Sequence, residues 1–384
     1  MEKNDFLEYY GKYHISPVVQ DISNFNEHCL RRKKLYRQLG MPFMLFENKE
    51  MLEVGPGSGY NSLVFFEGKI KHLDLVEANL KGIEDMRILF EQYKVSNEKY
   101  DIFESKIEDF NTEKKYDVVI AESFLQNLKN QQEVIDKLRS LTKEGGIIVV
   151  TCSDNICFYI EQIKRLIAHA LSYQIEDYNE KVKYLIKIFE PQLKKLRGFS
   201  RNIESWVQDQ MLNPVAVNGT SLSLIEAIRM FGDDCDVLST APRIFTEYSW
   251  YKDIWYDDKK SYLQQYEEKG INLILANLDK ELKLTQKNNE IVNRIIQKQR
   301  IYASNYEEKP QLEILLHIVN ENKKLTQMLK NNDERLDAIL NEITLALEFI
   351  IDNGVEKFSF SKYTNLFAAF GRTQQYISFI KNGE

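Results

Sequence analysis

Histidine, proline, glycine and cysteine are all scarce in this sequence of 384 residues, with 5, 7, 16 and 4 copies. No H-x-x-x-H or C-x-x-C spacing occurs, so no dedicated transition-metal site is expected. Cys29, Cys152, Cys157 and Cys235 show no paired spacing, which argues against a disulfide framework and points to a reduced, cytoplasmic setting. The start, Met1-Glu2-Lys3-Asn4-Asp5, lacks the apolar core of a signal peptide. No apolar run reaches the roughly 18 residues of a membrane span. Basic residues are not in excess: Lys and Arg number 51 against 58 Asp and Glu, a net charge of −7. That balance disfavours nucleic-acid or anionic-membrane binding. The short basic run Arg31-Arg32-Lys33-Lys34 reads first as the solvated face of a helix. The chain is 43% hydrophobic, enough for one large core or two smaller ones.

What is present is a β-loop-α-β unit. Met51–Val54 is a short apolar run suited to a buried parallel strand, and a second such run ends at Glu77. Between them lies Gly55-Pro56-Gly57-Ser58-Gly59-Tyr60-Asn61. Open α/β sheets bind ligands at the carboxyl ends of their strands. The three loop glycines bring no Cβ near a ligand, and Glu77 can accept hydrogen bonds from two ribose hydroxyls. A dinucleotide fingerprint would need glycine where Tyr60 stands. Glu53, just ahead of the loop, would repel a pyrophosphate and attract a cationic amino-acid moiety.

Glu53-Val54-Gly55-Pro56-Gly57-Ser58-Gly59 resembles motif I (E-x-G-x-G-x-G) of class I S-adenosylmethionine (SAM)-dependent methyltransferases, with Glu77 as the acid of motif II. The resemblance implies SAM as cofactor and a doubly wound, Rossmann-like α/β sheet. It implies a cofactor site at Glu53, Gly55, Pro56, Gly57, Gly59, Tyr60, Asn61, Glu77 and Ala78. Ile107 and Glu108, or Asp109, follow the third expected strand, where the family packs adenine. Glu122 and Ser123 follow the fourth, in a stretch that resembles motif IV, whose residues face the methyl group.

The expected organisation is a helical cap over 1–48, the SAM-binding core over 49–154, a helical insertion over 155–234 on the substrate side, the last strands over 235–279, and a helical C-terminal region over 280–384. The cap holds a helix started by Asp21 or Ser23, preceded by an irregular aromatic segment, Tyr9–Pro17. Strands are expected near 51–54, 73–77, 100–104, 118–121 and 147–152, with Cys235–Leu238 and Ile271–Ala276 as the last pair. The clearest helix, Gln131–Leu141, is expected to end at Gly145-Gly146. Pro310 and Asn331-Asn332-Asp333 divide the C-terminal helices. Their apolar faces must bury, either on the N-terminal or inserted helices or in a homodimer.

Methyl transfer to an alcohol needs a general base. His14 and Glu122 are the candidates, ahead of His169 and His28. Tyr13–Pro17, Leu30–Tyr36, Thr240–Arg243 and Phe370–Arg372 resemble a bacterial methyltransferase group associated with surface or capsular polysaccharide. This implies a small-molecule acceptor, a carbohydrate or nucleotide sugar. Arg31 or Arg32 and Arg243 are candidates to hold its phosphates, and Trp250 and Tyr251, on an aromatic loop, to contact its sugar. Another acceptor class, or a non-catalytic SAM-binding scaffold, stays open on the residues alone.

Overall fold

The computed structural model describes residues 6–16, 18–196, 198–215, 221–253 and 258–383. Pro17 and part of the expected irregular segment 211–221 lie outside them. Seven strands form one sheet: β1 (Glu50–Val54), β2 (His72–Glu77), β3 (Tyr100–Glu104), β4 (Tyr116–Ala121), β5 (Thr142–Cys152), β6 (Cys235–Ala241) and β7 (Gln375–Lys381). Their order is β3-β2-β1-β4-β5-β7-β6. Neighbours among β1–β5 pair in parallel, and β7 runs antiparallel to both β5 and β6. The doubly wound α/β class expected from the alternating pattern is therefore present.

Strand alternation sorts the apolar residues onto two faces. Leu52, Val54, Val119, Ile148 and Val150 join one core, with α5 (Gln131–Leu141) packed on it. Met51, Val118, Ile120 and Val149 join the other. On that face lie α2 (Phe25–Gln38), α3 (Leu63–Phe66) and α4 (Leu80–Gln92).

The N-terminal cap differs in detail from expectation. Tyr9–Tyr13 is helical, within α1 (Phe6–Tyr13), because Tyr9 and Tyr10 find a buried face. The cap of α2 is Asn24, whose side chain accepts from the Glu27 amide, rather than Asp21 or Ser23. Helix α5 stops at Leu141, and Gly145-Gly146 fall inside β5, where its register against β4 shifts.

The largest difference concerns the final strand. Residues 270–274 form a buried 3-10 turn, and the antiparallel strand is β7. A short apolar run suits a buried strand and a buried turn alike. The helical region is thus threaded between β6 and β7 rather than appended after the sheet. Its helices Gln286–Glu308, Leu312–Leu329 and Glu334–Asn353 share one core with α6 (Tyr159–Ser172) and α7 (Tyr178–Leu193). Asp333 caps the third of them, as its sequence implied. Of the alternatives open for their apolar faces, packing on the inserted helices is present, while Ile301, Leu312, Leu316 and Leu345 stay exposed. The path back to β7 passes α6 so closely that a Cβ on Gly371 would lie 1.8 Å from the Cys157 carbonyl oxygen. Glu161 accepts from the Gly371 amide there, at 3.0 Å. No helix of the described residues is long and apolar enough to cross a membrane.

Candidate active site

The glycine loop leaves β1 at the carboxyl edge of the sheet. Gly59 has φ +77°, and a Cβ on it would meet Met86 of α4 at 2.7 Å, so both backbone and packing require glycine. Glu77, at the tip of β2, fastens the loop to the start of α4. One carboxylate oxygen accepts from the Gly57 amide and the other from the Asn79 amide, each at 2.7 Å. Burial raises the Glu77 pKa, against the pull of those amides.

A segment of the N-terminal cap lies across this loop. The Asn79 side chain donates to the Ile15 carbonyl at 3.1 Å, and the Ser58 hydroxyl donates to the Val18 carbonyl at 3.0 Å. Ser16 and Ser58 hydroxyls also bond each other. Tyr13 stacks on Tyr178 of α7 at 3.8 Å between centroids, tying the strap to the inserted helices. His14 sits in the strap with φ +50° and an exposed side chain. His28 is buried and donates from Nε2 to the Tyr60 carbonyl at 2.9 Å, a contact that fixes the loop. Burial lowers its pKa.

Behind the loop is a buried charged cluster. Arg32 of α2 meets Glu122 at 2.5 Å, and the Tyr36 hydroxyl donates to the same Glu122 oxygen at 2.9 Å. Tyr376 of β7 completes the cluster, its pKa pushed up to about 12 by burial and by Glu122. Arg32 is 7% exposed, so it is not on the solvated face that the basic run implied. Burial works against its charge, but Glu122 holds its pKa well above the ordinary value. Glu53 belongs to the same neighbourhood. Burial pushes its carboxyl up to about 7, with Glu122 and Glu77 raising it and Ser62 and Arg32 lowering it. Arg32 Nε, Glu53 Oε2 and Glu122 Oε2 are buried here without a hydrogen-bond partner, as is Ser62 Oγ.

The other expected residues are distributed around this centre. Gly55 lies under the Phe124 ring, and Pro56, Tyr60, Asn61 and Ala78 are partly exposed along the loop and strand ends. Ile107 is buried, and Glu108 accepts from Asn130 at 2.8 Å. Ser123 has φ +69°; its amide donates to Thr151 at 2.5 Å and its hydroxyl accepts from Gln374 at 3.2 Å. Arg31 donates to the Gly198 carbonyl at 2.9 Å. Arg243, Trp250 and Tyr251 are exposed on the loop after β6, which is fastened through Thr246 and Lys269 to the helix Lys259–Lys269. His169 lies in the helical core, 3.8 Å from Glu307, and not in the buried cluster.

Tyr36, Tyr376, Gln374, Ser16 and Asn79 were missed at the sequence level. Tyr36 carried a signal, standing one turn after Arg32 on α2. Gln374 and Tyr376 carried none, because β7 was not recognised.

Residues 45–214 match a family described as "Methyltransferase domain". The malonyl-[acyl-carrier protein] O-methyltransferase 2 of Ilyobacter polytropus is 27% identical over 134 residues, 33% of this chain and 48% of that protein. The chain thus spans about half the length of this curated relative. N-methyltransferase NodS from Bradyrhizobium japonicum, solved with S-adenosyl-L-homocysteine, aligns at 16% identity and a TM-score of 0.32, over 38% of this chain and 74% of its own. The CcbJ methyltransferase from Streptomyces caelestis aligns at 21% identity and a TM-score of 0.26, over 30% and 49%.

Proposed function

We propose that this methyltransferase domain, whose cofactor is SAM, methylates a hydroxyl of a small carbohydrate or nucleotide-linked sugar. The observation that carries the cofactor half is the set of unpartnered buried atoms beside the glycine loop. Arg32 Nε is a cationic donor suited to a carboxylate, and Glu53 Oε2 is an acceptor suited to an ammonium or sulfonium. That set fits the zwitterionic methionine portion of SAM and does not fit a pyrophosphate. Glu77 would take the ribose hydroxyls by exchanging or sharing its present amide partners.

When bound, SAM supplies a methyl group on a sulfonium, open to in-line attack by a nucleophile. The chain's residues orient the reactants and keep water out. Ile15, Ser16 and Val18, bonded to Asn79 and Ser58, and the Phe124 ring lie over the loop. A sugar hydroxyl must lose its proton, and two groups can take it. Glu122 has one oxygen held by Arg32 and Tyr36 and the other free. His14 rides on the strap. The exposed ring pair Trp250 and Tyr251, with Lys252 over both rings, favours a sugar face near the substrate side.

Cofactor turnover should be followed with nucleotide sugars, free sugars, amines and acyl-thioester carboxylates as separate acceptors. Turnover with a sugar-bearing acceptor is expected. Turnover confined to amines or carboxylates would overturn the acceptor reading, and tighter binding of NAD than of SAM would overturn the cofactor reading.

A further inference from the structure

The amino end of the sheet, opposite the glycine loop, gathers three metal-ligating side chains. His72 opens β2, Asp74 lies two residues on and so on the same face, and Asp101 is the register partner of Asp74 on β3. Their ligand atoms all lie within 4.8 Å of one another. His72 Nε2 is 3.2 Å from Asp74 Oδ1 and 3.1 Å from Asp101 Oδ2.

His72 Nδ1 lies 3.2 Å from the Glu98 carbonyl oxygen, which can only accept, so Nδ1 carries a proton. In a neutral ring, Nε2 then turns a lone pair toward two carboxylates. Those carboxylates are themselves like charges side by side across the ladder, an unfavourable pairing without a cation. Lys114 and the Tyr116 hydroxyl compensate in part, at 2.9 and 2.6 Å, but both bind Asp74 Oδ2. Oδ1, on a side chain only 4% exposed, accepts no hydrogen bond and faces His72.

We propose that His72 Nε2, Asp74 Oδ1 and Asp101 Oδ2 bind a divalent transition-metal ion, with Zn²⁺ the best match and water completing the shell. Ligands about 2.0–2.2 Å from tetrahedral zinc stand roughly 3.3 Å apart, close to the two separations of His72 Nε2 from the carboxylates. An imidazole that ligates through one nitrogen commonly gives its other N–H to a backbone carbonyl, as His72 does. Imidazole in the donor set favours zinc over magnesium or calcium. Lys114 and Tyr116 then hold the second oxygen of Asp74 as outer partners. Sequence spacing hides the site, because two ligands are i and i+2 on one strand and the third comes from its neighbour. The ion would join β2 to the edge strand β3, remote from the carboxyl edge where Glu77 and the loop lie.

The test is titration of chelator-treated full-length protein with ZnCl₂, read by calorimetry and by thermal unfolding. One equivalent should bind and raise the melting temperature. His72→Ala and Asp101→Asn, both at solvent-accessible positions, should each weaken binding at least about tenfold and remove that rise, with SAM affinity unchanged. Absence of stoichiometric binding, or equal binding by the variants, would overturn the site. A melting temperature unaffected by zinc would likewise overturn it.

Discussion

Arg32 and Glu122 are 2.5 Å apart in a buried ion pair, although one precedes the first strand and the other follows the fourth. Tyr376, from the last strand, lies against both. The cluster behind the glycine loop is therefore assembled from the cap, the loop after β4 and the final strand. A buried pair of this kind contributes little net stability over well-packed apolar residues. Its worth is better sought in what its free Nε and Oε2 atoms offer a ligand.

Glu122→Gln keeps an acceptor for Arg32 but removes a proton acceptor. If Glu122 is the base, kcat on a sugar should fall about 10²–10⁴-fold, with SAM affinity nearly retained. Steady-state kinetics with calorimetry separates this from the other outcome, lost SAM affinity with kcat retained. That result would assign Glu122 to the cofactor and leave His14 as the base.

The Glu53 carboxyl, pushed up by burial to about 7, gives two opposite pH trends. The unliganded protein holds this proton more tightly than the unfolded chain does. The stabilisation is fully present below about pH 4.5, the ordinary glutamate range, and is lost as pH rises through about 7. Cation binding needs the ionised form, so SAM affinity should rise roughly tenfold from pH 6 to 8 and then level. Glu53→Gln should flatten both curves. Calorimetry and melting curves across that range check them, and a wild-type affinity independent of pH would refute the assignment.

Glu77→Ala should weaken SAM binding at least about tenfold, from the loss of charge-assisted bonds. It should also lower stability by about 1–3 kcal/mol, because the Gly57 and Asn79 amides lose their acceptor. Unchanged values of both would mean that Glu77 does not organise the loop.

Arg165 and Glu307 join α6 to the helix Gln286–Glu308 by two bonds, at 2.6 and 2.8 Å, with the Arg165 side chain 1% exposed. Glu307→Ala strands a buried guanidinium and should cost about 3–5 kcal/mol. Replacing both residues with leucine or methionine should restore most of it. Denaturant unfolding of the single and double variants measures the difference.

The alternating part of the chain was legible because strand and helix periods differ and the glycines mark the loop. Charge and spacing in one short stretch singled out Glu53, the three glycines and Glu77, which lie together at the carboxyl edge of the sheet. Arg32 was misread, because a basic run says nothing of which member turns inward. The strand at 375–381 was missed for a different reason. Its partners β5 and β6 are remote in sequence, and pairing with them decides between strand and turn for a short apolar run. Arg243, Trp250 and Tyr251 were placed on a loop correctly, but their exposure leaves their role to a ligand.

The position of β7 between β5 and β6 has a consequence for biogenesis. During synthesis β5 emerges long before the strand that covers its flank, so its backbone edge stays open while the helices between are made. Pairings so remote in sequence close late and slowly, and an open strand edge invites association with other chains. The helical segment, whose contacts with α6 and α7 need no β7, can condense first and shorten the effective loop that the last strand must close. Pulse-labelled hydrogen exchange should then find amides of Gln286–Asn353 protected before those of Gln375–Lys381.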